Sequence, residues 1–159
     1  IEGARRRCKT QLVERFRRTI PDVVERIRFV PPLTNEDYLA LTALGDVVLD
    51  PPVFGGGNTT LEALAAGRPV VTLPGPYLRS RLTLGFLRHC GATRGIAADI
   101  SEYATLALAA ATGDRRATPA SDDGAVLFGD SSSLREHEAF FAAAREAARG
   151  GRRLATWPG

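Results

Sequence analysis

The segment Asp46-Val47-Val48-Leu49-Asp50-Pro51-Pro52-Val53-Phe54-Gly55-Gly56-Gly57-Asn58-Thr59-Thr60-Leu61-Glu62-Ala63-Leu64-Ala65-Ala66-Gly67 runs directly into Arg68-Pro69-Val70-Val71-Thr72-Leu73. Residues 46–50 are apolar inside and acidic at both ends, the pattern of a strand buried on both faces of a parallel sheet. A glycine-rich loop follows, then a small-residue helix expected at about residues 59–66 with Gly67 as its C′ residue, then a second buried strand at residues 69–73. Strand, loop, helix and strand within about thirty residues is a βαβ unit, and it sets the fold class.

Outward from this unit the same alternation recurs. Residues 4–19 read as a helix with Leu12, Val13 and Phe16 at core-facing spacing, stopped by Pro21. Residues 26–30 read as a short strand ended by Pro31-Pro32, and Thr34-Asn35-Glu36-Asp37 as a capped helix start with acids in its first turn, closed by Gly45. Beyond the second strand come Pro74-Gly75-Pro76, a helix near residues 77–90, a strand at about 94–98, and a helix opened by Ser101 and closed by Gly113. Residues 114–130 read as a polar loop and about 133–149 as the last helix. The order βαβαβαβα predicts an α/β domain with a Rossmann-like open parallel sheet over residues 1–149, and a mobile tail over 150–159.

Composition limits the function classes. The chain of 159 residues is 44% hydrophobic and 25% charged, the balance of a globular domain, and it holds no apolar run long enough to span a bilayer. Cys8 and Cys90 have neither disulfide-framework nor metal-ligand spacing, which points to a reducing, cytoplasmic compartment. The net charge of +3 is almost all arginine, with Lys9 the only lysine. Arg5, Arg6, Arg7, Arg15, Arg17 and Arg18 read as a solvated helix face, because no aromatic residues interleave them as a base-stacking surface requires. Neither a nucleic acid nor a membrane is expected as a partner. Methionine is absent and the chain opens on Ile1-Glu2-Gly3, which reads as the end of a strand in a domain truncated at its amino end.

The glycine loop carries the chemistry. In open parallel sheets ligands bind beyond the carboxyl ends of the strands, where helices begin. A helix amino end offers unpaired N–H groups and partial positive charge, and glycines let an anion approach the backbone. Gly56, Gly57, Asn58, Thr59 and Thr60 are thus candidates for holding a diphosphate without a metal, although Asn58 and the threonines also suit plain helix capping. Glu62, in the first turn, favours the helix dipole; its functional reading is a carboxylate that accepts hydrogen bonds from ribose hydroxyls. The Walker lysine is missing and the dinucleotide glycine spacing is not met. His89 and His137 fall on helices away from this loop and read as structural or surface residues, and no cluster has metal-ligand spacing.

Taken together, Arg26-Ile27-Arg28-Phe29-Val30-Pro31, Asp46-Val47-Val48-Leu49-Asp50-Pro51, the Phe54 to Gly67 stretch, Pro69-Val70-Val71-Thr72-Leu73-Pro74-Gly75, Ser80-Arg81, and Leu127-Phe128 through Phe141 resemble, in order and spacing, the C-terminal catalytic half of the O-linked N-acetylglucosamine transferase family, including its bacterial SPINDLY-like members. The resemblance covers most of residues 1–145. It implies a GT-B-type glycosyltransferase, two Rossmann-like domains facing a cleft, of which this chain is the C-terminal, donor-binding one and the N-terminal half its partner. It implies a nucleotide sugar, a UDP-sugar first among them, as donor, with no cofactor or metal, and an acceptor hydroxyl that includes protein Ser or Thr.

The same resemblance assigns base contacts to Leu33, Asn35 and Tyr38, diphosphate contacts to Gly57, Asn58 and Thr59, and the ribose to Glu62, with acceptor-side catalytic residues in the N-terminal half. Arg81 is left between a phosphate contact and a surface ion pair. There are departures: the animal enzyme has a histidine where this chain has Gly57 and a threonine where it has Asn58. A further basic residue of the family pattern falls before Ile1, and Lys9 does not match it. Alone, the chain is expected to bind a nucleotide weakly without transferring sugar. The other readings are a sugar-nucleotide epimerase-type domain and a non-catalytic nucleotide-binding or interaction module.

Overall fold

Val48 and Leu49 form the first strand, β1 (Val48–Leu49), paired in parallel with β2 (Val70–Val71) in the register Val48 to Val70 and Leu49 to Val71. The computed structural model describes residues 2–113, 123–153 and 156. Around the strands lie α1 (Glu2–Thr19), α2 (Asn35–Leu44), α3 (Asn58–Ala65), α4 (Leu82–His89), α5 (Ile100–Ala111), α6 (Asp123–Gly129) and α7 (Ser132–Arg149). Short 3-10 turns stand at Val24–Arg26, Leu78–Ser80 and Thr93–Gly95. The chain divides into two compact units, Ile1–Tyr38 and Leu39–Gly159, with the division inside α2.

The second unit contains the expected βαβ step. Val48 N–H donates to Pro69 O at 2.8 Å and Asp50 N–H to Val71 O at 2.9 Å, so β1 and β2 stay laddered one residue beyond each end. Past β2, Thr72 pairs in parallel with Ile96 through a single bridge, with Thr72 N–H on Gly95 O and Ala97 N–H on Thr72 O, both at 2.9 Å. The side-chain alternation of a strand then sorts the core to two faces. Val70 packs with Ala63 and Leu64 of α3, Leu87 of α4, Cys90 and Ala92, supported by Leu127 of α6. Val71 packs on the other face with Ala110, Tyr103, Leu106 and Ala109 of α5. Helices on both faces of a parallel sheet are the arrangement that βαβ crossovers impose.

Several expectations are corrected. Residues 26–30 form no strand: a 3-10 turn covers Val24–Arg26, and Ile27 continues in extended backbone at φ −78° and ψ 127°. An alternating pattern makes a strand only where a neighbour offers a ladder; here Phe29 instead packs on α1, its ring 6.5 Å from Phe16 and 5.5 Å from the Lys9 ammonium. Glu2 and Gly3 lie in α1, not at a strand end. β1 is not buried on both faces, since Leu49 is 49% exposed. The strand expected at 94–98 is reduced to the Ile96 bridge, because the 3-10 turn at Thr93–Gly95 takes up its first half. Residues 123–129, expected in a polar loop, are helix α6, which lies against α3 and α4; residues 114–122 fall outside the described residues.

Other expectations hold. Thr34 accepts at Oγ1 from Asp37 N–H at 3.1 Å and donates to Asp37 Oδ2 at 2.8 Å, the reciprocal contact that starts α2. Gly67 closes α3 at φ +65°, a left-handed position that only glycine takes at no cost. Both cysteines carry free thiols, Cys8 exposed and Cys90 buried. Among the described residues no helix is long and apolar enough to cross a membrane. His89, at the end of α4, faces Asp130 at 3.2 Å, and His137 of α7 meets Ser133 O at 2.6 Å, so both sit away from the loop after β1. The helix expected at 77–90 is a 3-10 turn and α4 in succession.

Candidate functional site

The site is built at the carboxyl end of β1, from the loop at residues 51–57 and the amino end of α3. Asp50 directly follows β1 and is 3% exposed, and its two carboxylate oxygens are both used. Oδ1 accepts from Gly56 N–H at 2.6 Å and Oδ2 from the Thr72 hydroxyl at 2.7 Å, while the Tyr103 hydroxyl donates to Asp50 O at 3.0 Å. Burial and, secondarily, the nearby Asp50 charge push the Tyr103 phenol above its ordinary value.

The glycines are needed for unequal reasons. A Cβ on Gly55 would stand 3.0 Å from both Asp50 carboxylate oxygens, and one on Gly56 2.5 Å from Thr60 Oγ1 and 2.8 Å from Thr59 Oγ1. A Cβ on Gly57 would meet nothing nearer than Leu82 Cδ1 at 3.9 Å. Gly55 and Gly56 are therefore demanded by the protein's own packing, whereas Gly57 has room. Gly56 is held at its other end too, where the Thr83 hydroxyl of α4 donates to Gly56 O at 3.4 Å.

α3 begins at Gly57 without a side-chain cap; Gly57 O accepts from Thr60 N–H at 3.0 Å and Leu61 N–H at 3.2 Å. The N–H groups of Asn58 and Thr59 have no acceptor among the described residues, and both residues are exposed. Such an end carries partial positive charge and donors aimed outward, which suits an anion. Glu62 is half-buried one turn on, on the face shared with Asn58 at i, i+4. Thr60 is different: it is 2% exposed, and its hydroxyl lies 3.1 Å from that of Thr83, so its side chain joins α3 to α4.

A second loop is stitched to the first. Gly55 N–H donates to Arg79 O at 2.8 Å, and Arg79 Nε donates to Val53 O at 3.3 Å while its guanidinium covers the Tyr77 ring at 4.6 Å. Arg81 donates from Nη1 to Gly75 O at 2.9 Å. Val53, Phe54, Tyr77 and Leu78 stand 74%, 71%, 60% and 75% exposed along these two loops.

The model of the family called glycosyl transferase family 41 matches residues 11–120, most of the chain. The chain belongs to glycosyl transferase family 41. Among curated relatives, a UDP-N-acetylglucosamine–peptide N-acetylglucosaminyltransferase of Caenorhabditis elegans is 32% identical over 83 residues, 52% of this chain and 7% of that protein. A probable transferase of the same description, SPINDLY of Petunia hybrida, is 32% identical over 85 residues, 53% of this chain and 9% of that protein. Among solved structures, a mutant O-GlcNAc transferase of Thermobaculum terrenum superposes with a TM-score of 0.72 at 27% identity, over 89% of this chain and 28% of that one. This family 41 chain thus spans under a tenth of these two curated relatives.

The site residues expected from the sequence are divided between the two units. Gly56, Gly57, Asn58, Thr59, Thr60 and Glu62 come together at the α3 amino end, with Arg81 on the adjoining loop of the same unit. Leu33, Asn35 and Tyr38 belong to the first unit, where Leu33 is 38% exposed, Asn35 opens α2 and Tyr38 N–H donates to Thr34 O at 3.0 Å. Asp50, Thr72, Thr83 and Tyr103 escaped sequence reasoning as parts of the site. Only Asp50, an acid at a strand end beside glycines, left a signal; Thr72 and Tyr103 are joined to it from 22 and 53 residues away in the chain, and Thr83 reaches Thr60 and Gly56 from 23 and 27.

Proposed function

We propose that this chain is the donor-binding part of a glycosyltransferase that moves a sugar, N-acetylglucosamine first among candidates, from a nucleotide diphosphate sugar to an acceptor hydroxyl, including protein Ser or Thr. One observation carries the reading: within the span matched by family 41, the α3 amino end is uncapped, and Asn58 and Thr59 keep N–H donors with no acceptor among the described residues. The names of the relatives, which specify UDP-N-acetylglucosamine and a peptide, support the choice of donor and acceptor.

In sugar transfer, negative charge builds on the departing diphosphate. Donors fixed beforehand by the fold stabilise that charge without reorganising, and a helix amino end supplies them without a metal. Gly57, Asn58 and Thr59 are proposed to hold the diphosphate through backbone and side chain, Glu62 to accept from the ribose hydroxyls, and Arg81 to adjoin a phosphate. Base contacts by Leu33, Asn35 and Tyr38 are proposed on the family resemblance alone. Acceptor chemistry is assigned to an N-terminal half, so the chain alone binds donor and does not transfer. Its free thiols, Cys8 and Cys90, favour a reducing, cytoplasmic setting.

Calorimetric titration of the chain with UDP and with GDP tests this. One nucleotide should bind, and Glu62→Ala should weaken it about tenfold, the loss of a charged hydrogen-bond acceptor. A folded chain that binds neither nucleotide, or a Glu62→Ala variant of unchanged affinity, would favour an interaction module over a donor site.

A further inference from the structure

Every part of Asp50 is anchored. Its N–H donates to Val71 O at 2.9 Å and its carbonyl accepts from Tyr103 at 3.0 Å, so neighbouring β2 and α5 set its backbone. Thr72, fully buried in the core, donates to Oδ2 at 2.7 Å and sets the direction of the side chain. What remains is Oδ1, a rigid arm that accepts from Gly56 N–H at 2.6 Å. Gly56 is thereby held at both of its peptide groups, its N–H by Asp50 and its carbonyl by Thr83 at 3.4 Å. The next residue, Gly57, is the N-cap of α3.

We propose that Asp50 is a positioning residue: its buried carboxylate fixes the Gly56 peptide and so sets where the open amino end of α3 presents its donors. The proposal rests on reading that end as the diphosphate site. The role is geometric, because a carboxylate repels a diphosphate and would not be placed here for attraction. It also explains the glycine preceding Gly56, since a Cβ on Gly55 would press on both carboxylate oxygens at 3.0 Å. A side chain whose only duty was to fill the core would be apolar, as burying a charge is costly unless hydrogen bonds compensate it.

Two variants and two readouts test the assignment. Asp50→Ala removes the arm. Asp50→Asn keeps it, since the amide oxygen can accept from Gly56 N–H while the amide nitrogen donates to Thr72 Oγ1. Without nucleotide, amide hydrogen exchange at Gly56 should speed about tenfold or more in Asp50→Ala and return toward the parent rate in Asp50→Asn, with little change in α5. With UDP or GDP, whichever the parent chain binds, affinity should fall about fivefold or more in Asp50→Ala and recover in Asp50→Asn. If Asp50→Ala does not fold, Thr72→Val, which frees the carboxylate from β2, should speed Gly56 exchange in the same local way.

Unchanged Gly56 exchange in Asp50→Ala would overturn the assignment, as would acceleration spread evenly over β1, β2 and α5, or failure of Asp50→Asn to restore either readout. Should the parent chain bind neither UDP nor GDP, the donor-site reading falls by itself, and the exchange measurement still decides whether Asp50 holds the loop.

Discussion

Two helices of the second unit start in opposite ways, though each follows a segment paired with the same small sheet. α5 is closed: Asp99 accepts from Ser101 N–H and Glu102 N–H, both at 2.9 Å, and Glu102 reaches back to accept from Ala98 N–H at 2.6 Å. α3 is open: Gly57 offers no side chain, and Asn58 and Thr59 keep donors without acceptors among the described residues. The reciprocal cap satisfies the Ser101 and Glu102 donors inside the chain and so leaves fewer open to a ligand than the α3 start does. The open start forgoes that stabilisation and leaves donors that an anionic ligand could accept from, as the proposed diphosphate would.

The strongest way to break the contrast is to close the open end. Gly57→Asp brings a carboxylate to the α3 amides, with room for its Cβ 3.9 Å from Leu82. Nucleotide affinity should drop more than about tenfold while the melting temperature holds or rises, because an acid at a helix start is stabilising there and takes the place of the phosphate. Titration beside a thermal melt checks it, and undiminished affinity would mean that the diphosphate does not sit at α3.

Opening the closed end is the reverse experiment. Asp99→Ala should lower stability by about 1 kcal/mol in denaturant unfolding, the usual loss of a side-chain cap, and should leave nucleotide affinity unchanged. If it weakened the nucleotide as much as the α3 variant, the two helix starts would not be functionally distinct.

A smaller effect joins the two regions through Tyr103, a residue of α5 that donates to the root of the α3 loop. Burial, and then the Asp50 charge, raise its phenol above 10.0. Because the folded-state value is the higher one, its contribution is complete below pH 10.0, the ordinary value, and is lost as pH rises through the raised one. Stability curves of the parent and Tyr103→Phe should therefore diverge by a nearly constant amount below that range and converge above it. Parallel curves through the alkaline range would remove Tyr103 from this coupling.

The βαβ step at the centre of the chain was legible because its cues are local. Apolar residues 47–49 and 70–71, the glycine loop, and Gly67 at its left-handed C′ position each declare their role within a few neighbours. The α2 start was legible for the same reason, as Thr34 and Asp37 meet three residues apart. Where the cue needed a partner elsewhere, reading failed: residues 26–30 alternate like a strand but have no ladder in the described structure. At the α5 start two neighbouring residues both suited the cap, and Asp99 takes it where Ser101 was expected.

For the candidate site, sequence by itself pointed to the loop between β1 and α3 and to the residue types proposed to meet a diphosphate and a ribose. Tertiary structure decided how those residues are used. It turned Thr60 inward to Thr83, gave Gly55 and Gly56 a packing reason independent of any ligand, and made Asp50 the support of the loop through Thr72 and Tyr103. The physical reason is range: helix propensity, capping and dipole act over a turn, and so are written in neighbouring residues. Burial and the hydrogen bonds of a buried carboxylate depend on residues tens of positions away, which only folding brings within 3 Å.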